Sequence, residues 1–473
     1  MTSSFGALTS AYTGLVAARQ GLAVVGDNIT NATTAGYSRQ TVLTSSVVPA
    51  NESLFTNGVQ VGAGVSIDGI GRVTSPLLNA QVRNTSASSG YATEQSSAMD
   101  SIEAALNEPG NNGLSTSLQQ FWTDWQTVST QSASAASATT VIADGKQIAS
   151  QLADGYTAAS NQWAQTRSSV DSTVATVNAT ATQIAALNGQ IRSTLASGGN
   201  ANGLLDQRDL LATTVASLAG GSVRSNADGT MDVLLGGNAL VSGTTVHAIV
   251  ATGSATMDGA ASSPVEIHFA DNASATAGIS SGILGADLSL LAPSNTAGTG
   301  GAIAQAAQMY NDLATSVATS VNAIHSTGAT AAGTTGLNFF AIDPANAALS
   351  LSVIPTNATG IAAGAIGAGA ANGDTADKLS QLASSTTGPD SKWAAFVVGI
   401  GVTARAATSQ ATLATGSAAA AVNNQSSVSS VDTDQETTNM LTFQHAFDGA
   451  ARVMTAIDAM LNTLINKTGL VGL

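Results

Sequence analysis

The sequence predicts an α+β protein that is mainly α, elongated and divided into several domains. Large apolar residues recur at a seven-residue step near both ends of the chain. A long stretch from Val141 to Leu195 is rich in Ala, Ser and Thr and has few helix breakers. Residues 220–280 instead alternate β-branched and polar residues between glycine-rich turns. We therefore expect terminal coiled-coil helices that pair, a body of long helices, and a small β-domain inserted into that body.

The composition narrows the class of protein. With 473 residues the chain is too long for one hydrophobic core. A net charge of −15 disfavours nucleic acid and an anionic membrane surface as partners. The lack of cysteine removes disulfide and thiol chemistry, which suits a protein that is exported unfolded. No basic residue precedes Arg19, and the longest apolar run is about half of what spans a bilayer, so we expect a soluble chain without an ordinary signal peptide.

The first helix should begin at Ser3 or Ser4, either of which can cap it. Its apolar residues at the seven-residue step are Leu8, Leu15, Leu22 and Ile29, flanked by Phe5 and Tyr12. Several glycines lie among them, and each costs roughly 1 kcal/mol relative to alanine in a helix interior. This helix is therefore weak alone, but it can approach a neighbour closely.

The last helix has the same repeat and clearer ends. Thr433 and Glu436 fit a capping box, and Gly469 is placed to end the helix. The a positions are Met440, Phe447, Met454 and Leu461, and the d positions are Phe443, Ala450, Ile457 and Leu464. The alternative is that each terminal stretch is the core face of an ordinary amphipathic helix. We interpret the two together as a paired coiled coil.

The predicted assembly interface is the set of large apolar residues on the two terminal helices. It comprises Phe5, Leu8, Tyr12, Leu15, Leu22, Ile29, Met440, Phe443, Phe447, Met454, Ile457, Leu461 and Leu464. Burying these side chains in an isolated helix pair does not offset the backbone entropy of ordering both helices. We therefore predict that both ends are disordered in the free subunit and form a coiled coil when neighbouring subunits cover them.

Between the ends, the pattern changes from strand to helix and back. A strand is expected at 41–48, a glycine-rich hairpin or ribbon at 54–73, and helices from Leu77 onward, broken at 109–113. Further helices are expected at 204–218, 303–324 and 378–421, while 328–374 stays unassigned apart from short strands near Phe339 and Ile354. The predicted domains are a terminal coiled-coil assembly domain (1–45 plus 431–473), a helical body with a β-hairpin (46–219 plus 281–430) and the inserted β-domain (220–280).

A search for catalytic or metal-binding patterns finds none that predicts an active site. The four histidines, His247, His268, His325 and His445, do not have metal-ligand spacing. The GxSxG match at 278–282 lacks the buried strand that a nucleophile elbow requires. The GxGxxA match at 399–404 has no acidic residue about twenty positions on. We predict no enzyme activity, no cofactor and no metal.

The stretch from Leu22 to Gln40 resembles the N-terminal motif of flagellar axial proteins of the rod, hook and junction. The matching residues are Asn28, Asn31, Thr34, Gly36 and Tyr37. Further stretches resemble the hook-associated junction proteins within that family: 37–40 (YSRQ), 107–128 with Phe121 and Trp125 in an FxxxW arrangement, 204–209 (LLDQRD), and 443–447 (FQHAF). The resemblance covers about 1–220 and 375–473 and fades between them.

This resemblance implies a structural, non-enzymatic subunit of the bacterial flagellum at the hook–filament junction. It implies a ring of copies that contacts the hook protein and a second junction protein, export through the flagellar type III apparatus, and a cytoplasmic export chaperone at the C-terminal helices. The mature location would then be extracellular. The alternatives are another axial protein (hook or distal rod), an acidic surface adhesin, and, last, a hydrolase.

Overall fold

The computed structural model describes residues 4–48 and 62–467, with the side chains of Ser4 and Lys467 left out. The helices are α1 (Ser4–Thr30), α2 (Pro76–Leu106), α3 (Leu114–Thr130), α4 (Ala135–Ala196), α5 (Asn202–Ala219), α6 (Gly282–Leu290), α7 (Ala302–His325), α8 (Ala347–Ser350), α9 (Asp374–Ser380), α10 (Pro389–Ser429) and α11 (Thr433–Lys467). The mainly α prediction with some β-structure, long helices and paired terminal helices is confirmed.

The strands are short and form small antiparallel sheets. They are β1 (Gln40–Ser46), β2 (Val65–Arg72), β3 (Ser222–Ser225), β4 (Met231–Leu235), β5 (Asn238–Ser242), β6 (Thr245–Val246), β7 (Ile249–Thr252), β8 (Glu266–Phe269), β9 (Asn272–Thr276), β10 (Gly328–Ala329), β11 (Phe340–Ala341), β12 (Ser352–Val353) and β13 (Gly364–Ala365). Within the described residues the sheets are β1-β2, β3-β4-β5-β6, β7-β8-β9, β10-β13 and β11-β12.

The longest helix, α4, has 62 residues and so extends about 90 Å. The Ser134 side chain caps its first turn, as the Ser75 side chain does for α2. Pro389 opens α10, where the missing N–H costs nothing because the first helical N–H groups have no partner in the helix. α10 packs along α2, and α4 packs against α3, α5 and α7, so the body is a layer of long helices.

Aromatic side chains fill the centre of the body. Phe121 and Trp125, the two residues of the FxxxW stretch, are fully buried on α3. Their rings pack against Phe339, at 5.7 Å and 5.5 Å between centroids. The Asn322 side chain accepts hydrogen bonds from the backbone N–H groups of Phe339 and Phe340 and thereby holds that segment against the helices.

The strands between 222 and 276 pack on one side of α4. The Asn188 side chain of α4 donates to the backbone carbonyls of Met231 and Gly243. The Asn178 side chain donates to the carbonyl of Ile249 and accepts from its N–H. The apolar residues of these strands join the same core cluster as the helices. Strand β1 (Gln40–Ser46) crosses the predicted boundary between the terminal domain and the body at residue 45. The division into domains stays a prediction.

Two local predictions were wrong. Helix does not run unbroken from 378 to 421: it ends after α9, and Gly388-Pro389 starts a new one. Asp432, not Thr433, caps α11, because its carboxylate accepts from the N–H groups of Asp434 and Gln435. The predictions for Ser3, 54–61 and Gly469 fall outside the described residues.

One acidic side chain is buried in the body without a hydrogen-bond partner. Asp287 of α6 is 0% exposed, and neither of its carboxylate oxygens is hydrogen-bonded. Burial, together with the Glu94 carboxylate, raises the pKa of Asp287 to about 7. The folded chain therefore keeps a proton here that the unfolded chain releases near pH 4.

Because the folded-state pKa lies above the unfolded one, the free energy of unfolding should fall as the pH rises from about 4 to about 7, by on the order of 4 kcal/mol for this group. Asp287→Asn removes this dependence. In urea unfolding, the stability of the variant minus that of the wild type should rise from pH 5 to pH 8. The exposed Asp100→Asn serves as the control and should give a flat difference. A flat difference for Asp287→Asn as well would contradict a protonated, buried Asp287.

Candidate assembly interface at the chain ends

The two terminal helices pack against each other in antiparallel directions. Near the body, the Asn28 side chain of α1 contacts the Glu436 side chain of α11. Seven residues further from the body on each helix, Gly21 faces the ring of Phe443. The pairing therefore advances by one heptad on both helices, as expected for a coiled-coil seam.

The predicted interface residues differ in how far they are buried. On α11, Ile457 is 4% exposed, and the half-buried seam residues are Met440, Phe443, Phe447, Met454 and Leu461, whereas Leu464 is exposed. On α1, Leu8, Leu15, Leu22 and Ile29 are half-buried, and Phe5 and Tyr12 are exposed. The predicted residues of α11 lie on the side that faces α1, apart from the exposed Leu464. The predicted residues of α1 lie beside its most deeply buried side, and Phe5 and Tyr12 are exposed.

The heptad pattern of large apolar residues did not predict the most deeply buried side of α1, whose residues are small, β-branched or polar. It consists of Ala18, Gly21, Val24, Val25 and Asn28. At Gly21 a Cβ atom would lie 2.5 Å from the Phe443 ring, so glycine is what allows the aromatic side chain to lie against the helix backbone. The signal in the sequence was the spacing of Ala18, Gly21, Val25 and Asn28 by three and four residues.

A buried polar network closes the hairpin at its root. The Asn28 side chain, 1% exposed, donates to the backbone carbonyl of Gln40 (2.9 Å) and to the Glu436 carboxylate (3.1 Å). Its oxygen accepts from the Tyr37 hydroxyl and from the Gln40 N–H, both at 2.9 Å. Burial and the nearby Asp27 carboxylate raise the pKa of Tyr37, so the hydroxyl stays protonated and able to donate.

Glu436 joins the two chain ends. Its other carboxylate oxygen lies 2.8 Å from Nε of Arg39, and its side chain is 2% exposed. The Arg39 N–H donates to the carbonyl of Ser429, the last residue of α10. This buried carboxylate is hydrogen-bonded on both oxygens, which is what makes its burial tolerable.

The YSRQ and LLDQRD stretches, which resemble separate family motifs, meet in the structure. The Asp206 carboxylate of α5 accepts from the Ser38 N–H (3.1 Å) and from the Arg72 guanidinium (2.7 Å). Arg72 also reaches Asp209 at 3.1 Å. The segment after α1 is therefore fixed to the body through α5 as well as to α11.

The remaining motif residues shape the turn between α1 and β1. Asn31 donates to the carbonyl of Asp27 (3.0 Å) and its side-chain oxygen accepts from Thr34 (3.3 Å). Gly36 has a φ of +79°, a conformation that L side chains rarely adopt. This turn reverses the chain so that Tyr37 points back at Asn28.

The chemical motifs rejected from sequence are not assembled into a site. Ser280 of the GxSxG match is exposed, and the GxGxxA match lies inside α10. His247 pairs with Asp271 and His268 with Glu266, while the buried His325 is held between the Leu337 carbonyl and the Ala362 N–H. Across residues 4–48 and 62–467, no three His, Asp or Glu side chains are placed to hold a metal ion.

None of the described helices combines the length and apolar character that a membrane span requires.

The network makes a testable prediction about Asn28. Asn28→Ala leaves the Gln40 backbone groups, the Tyr37 hydroxyl and one Glu436 oxygen without their partner, at a cost on the order of 3 kcal/mol. Hydrogen exchange in the free subunit should show lower protection of the backbone N–H groups of 36–40 and 433–440. Asn31→Ala, which removes hydrogen bonds only within the turn, should cost less than about 1 kcal/mol. Equal loss of protection in both variants would show that the network does not anchor the hairpin.

Comparison with known proteins agrees with this architecture. A family model described as the flagellar hook-associated protein FlgK helical domain matches residues 99–340, just over half of the chain. A model of the flagellar basal body rod FlgEFG protein C-terminal region matches residues 424–467, which contain all of α11.

Among curated relatives, flagellar hook-associated protein 1 of Bacillus subtilis is 27% identical over the full length of both chains. Its counterpart in Salmonella typhimurium is 30% identical over 71% of this chain, and the match spans 59% of the Salmonella protein. The solved structure of the flagellar hook junction protein FlgK from Burkholderia pseudomallei shares the fold, with a TM-score of 0.61 at 18% identity, covering 75% of this chain and 100% of that one. The chain therefore belongs to the FlgK family of flagellar hook-associated proteins, which are structural components of the flagellum.

Proposed function

We propose that this chain forms the junction between hook and filament and assembles through α1 and α11. A ring of copies would contact the hook protein on one side and a second junction protein on the other. The chain would leave the cell unfolded through the type III apparatus, with a cytoplasmic chaperone bound to the segment of α11, and would act outside the cell. The lack of cysteine and the small share of charged residues, 9%, are compatible with passage as an unfolded chain.

One observation carries the proposal that the chain assembles through its terminal helices: α11 has a second heptad stripe beside the seam. The first stripe faces α1. The second, spaced by three and four residues, consists of Ala446, Gly449, Val453, Ala456 and Met460, and every one of these residues is exposed. Val453 and Met460 are 50% and 62% exposed. Small and apolar residues at this spacing are what a further helix packs against, so we assign the second stripe to a neighbouring subunit.

On α1, exposed Tyr12 and Val16 add to the apolar surface of the hairpin. The isolated pair therefore leaves apolar surface in water, and covering it is the driving force that assembly supplies. We propose that the turns far from the body, beyond Gly21 and Phe443, become fully ordered only on assembly. The open, head-to-tail contacts of an axial structure fit this requirement, because each copy covers the next.

The sharpest test is a pair of substitutions on opposite sides of α11. Val453→Asp places a carboxylate on the second stripe, where assembly would bury it without a partner at a cost of about 3 kcal/mol or more. Thr455→Asp, also exposed, lies on the other side of the helix and is the matched control. In a strain lacking the gene, the wild type and Thr455→Asp should restore filaments, while Val453→Asp should give at least about tenfold fewer filaments per hook.

The phenotype of the strain without the gene tests the proposal itself. Intact hooks without filaments, and filament subunits shed into the medium, are the expected result. Loss of hooks would instead favour a rod or hook role. Normal filaments with Val453→Asp would remove the second stripe from the interface, although the family and the junction role could still stand.

A further inference from the structure

A cleft next to the root of the terminal hairpin contains a buried, unpaired positive charge. Arg83 of α2 is only 8% exposed. Within the described ranges its guanidinium makes no hydrogen bond and no ion pair. A guanidinium that is largely withdrawn from water is costly when it gains no opposite charge in return.

The cleft has a volume of about 300 Å³ and lies between α2, α5, the end of α10 and the turn after α1. Arg83 lines it together with Asn79, Thr213, Ser426 and Ser430, whose amide and hydroxyl groups are suited to a polar occupant. The two carboxylates at its edge, Asp206 and Asp209, are already bound to Arg72. They leave Arg83 without a direct partner.

Burial lowers the pKa of Arg83, and the Asp209 carboxylate only partly opposes this. The guanidinium nevertheless remains charged at any physiological pH, because its ordinary pKa exceeds 12. The site is thus a fixed positive charge with hydroxyl groups around it and space beside it. Such an arrangement fits a carboxylate, which can accept two hydrogen bonds from one guanidinium.

We propose that Arg83 receives a carboxylate side chain from a neighbouring copy of this chain in the assembled junction. This inference rests on the proposed function. Two features favour a second copy as the source. The chain has 29 acidic residues against 14 basic ones, so a neighbouring copy offers carboxylates in excess over basic groups. The cleft also borders the turn from which α1 leaves the body, so a subunit that covers the terminal helices lies next to it.

The test uses substitutions of Arg83 in the full chain with two readouts, the urea midpoint of the free subunit and the number of filaments restored per hook. In the free subunit Arg83→Gln should leave the midpoint unchanged or raise it, because it removes an unpaired buried charge. Filaments per hook should fall by about tenfold for Arg83→Gln, fall further for Arg83→Glu, and be largely retained for Arg83→Lys. Exposed Arg192→Gln on α4 is the control and should match the wild type in both readouts.

The order Lys, Gln, Glu is the signature of a negatively charged occupant. Full restoration by Arg83→Glu would overturn the proposal. So would a drop in the urea midpoint of Arg83→Gln large enough to explain its filament loss, since that would assign Arg83 an internal role. If Arg83→Glu assembles normally while Val453→Asp does not, this inference fails and the junction proposal survives.

A comparison of small anions distinguishes a site for a carboxylate from a site for any small ion. Thermal unfolding of the free wild type is compared in sodium acetate, sodium sulfate and sodium chloride at matched ionic strength. A higher midpoint in acetate than in chloride, absent in Arg83→Gln, supports a carboxylate site. A sulfate effect larger than that of acetate, together with normal filaments from all Arg83 variants, would show an adventitious ion only and would remove the neighbouring copy as occupant.

Discussion

The buried Glu436 carboxylate is the constraint on which the terminal hairpin depends. It lies at the start of α11 and is bound by Asn28 at the end of α1 and by Arg39 in the following segment. Closing a loop of some four hundred residues costs chain entropy, although that cost grows only slowly with loop length. Hydrogen bonds to an ionised group are among the stronger contacts that can offset it. Because burial of an unpaired carboxylate is so costly, the hairpin has one favoured register at its root.

This root also ties the hairpin to the body. Ser38 and Arg72 are held by Asp206 on α5, and Arg39 is held by the last residue of α10. The body supplies rigidity through long helices, of which α10 lies along α2 and α4 packs against three others. A force applied to the terminal helices would therefore be passed to two separate parts of the body rather than to a single flexible joint.

The periodic parts of this structure could be predicted from the sequence, and the tertiary contacts could not. The heptads located α1 and α11 and the side of α11 that faces α1, because a sustained seven-residue apolar repeat is typical of paired helices. The capping-box prediction was wrong because the Glu436 carboxylate binds Arg39 and Asn28 from the other end of the chain instead of the backbone at the start of α11. Small residues such as Gly21 carried no hydrophobic signal, although they form the closest contact. Residues 328–374 could not be assigned because side chains elsewhere hold them, such as Asn322 with Phe339.

The two halves of the terminal hairpin differ in what holds them. Near the body the contacts are buried and polar, which fixes position but adds little driving force in water. Far from the body the contacts are apolar and incomplete, with the second stripe of α11 still exposed. An apolar seam alone would tolerate a slip by one heptad, because each step presents a similar surface. The polar root opposes that slip, since moving Asn28 by one heptad would leave one buried oxygen of Glu436 without its hydrogen-bond partner. Register and apolar surface are thus separated along one helix pair: the root sets the register, and the outer turns carry the exposed apolar residues.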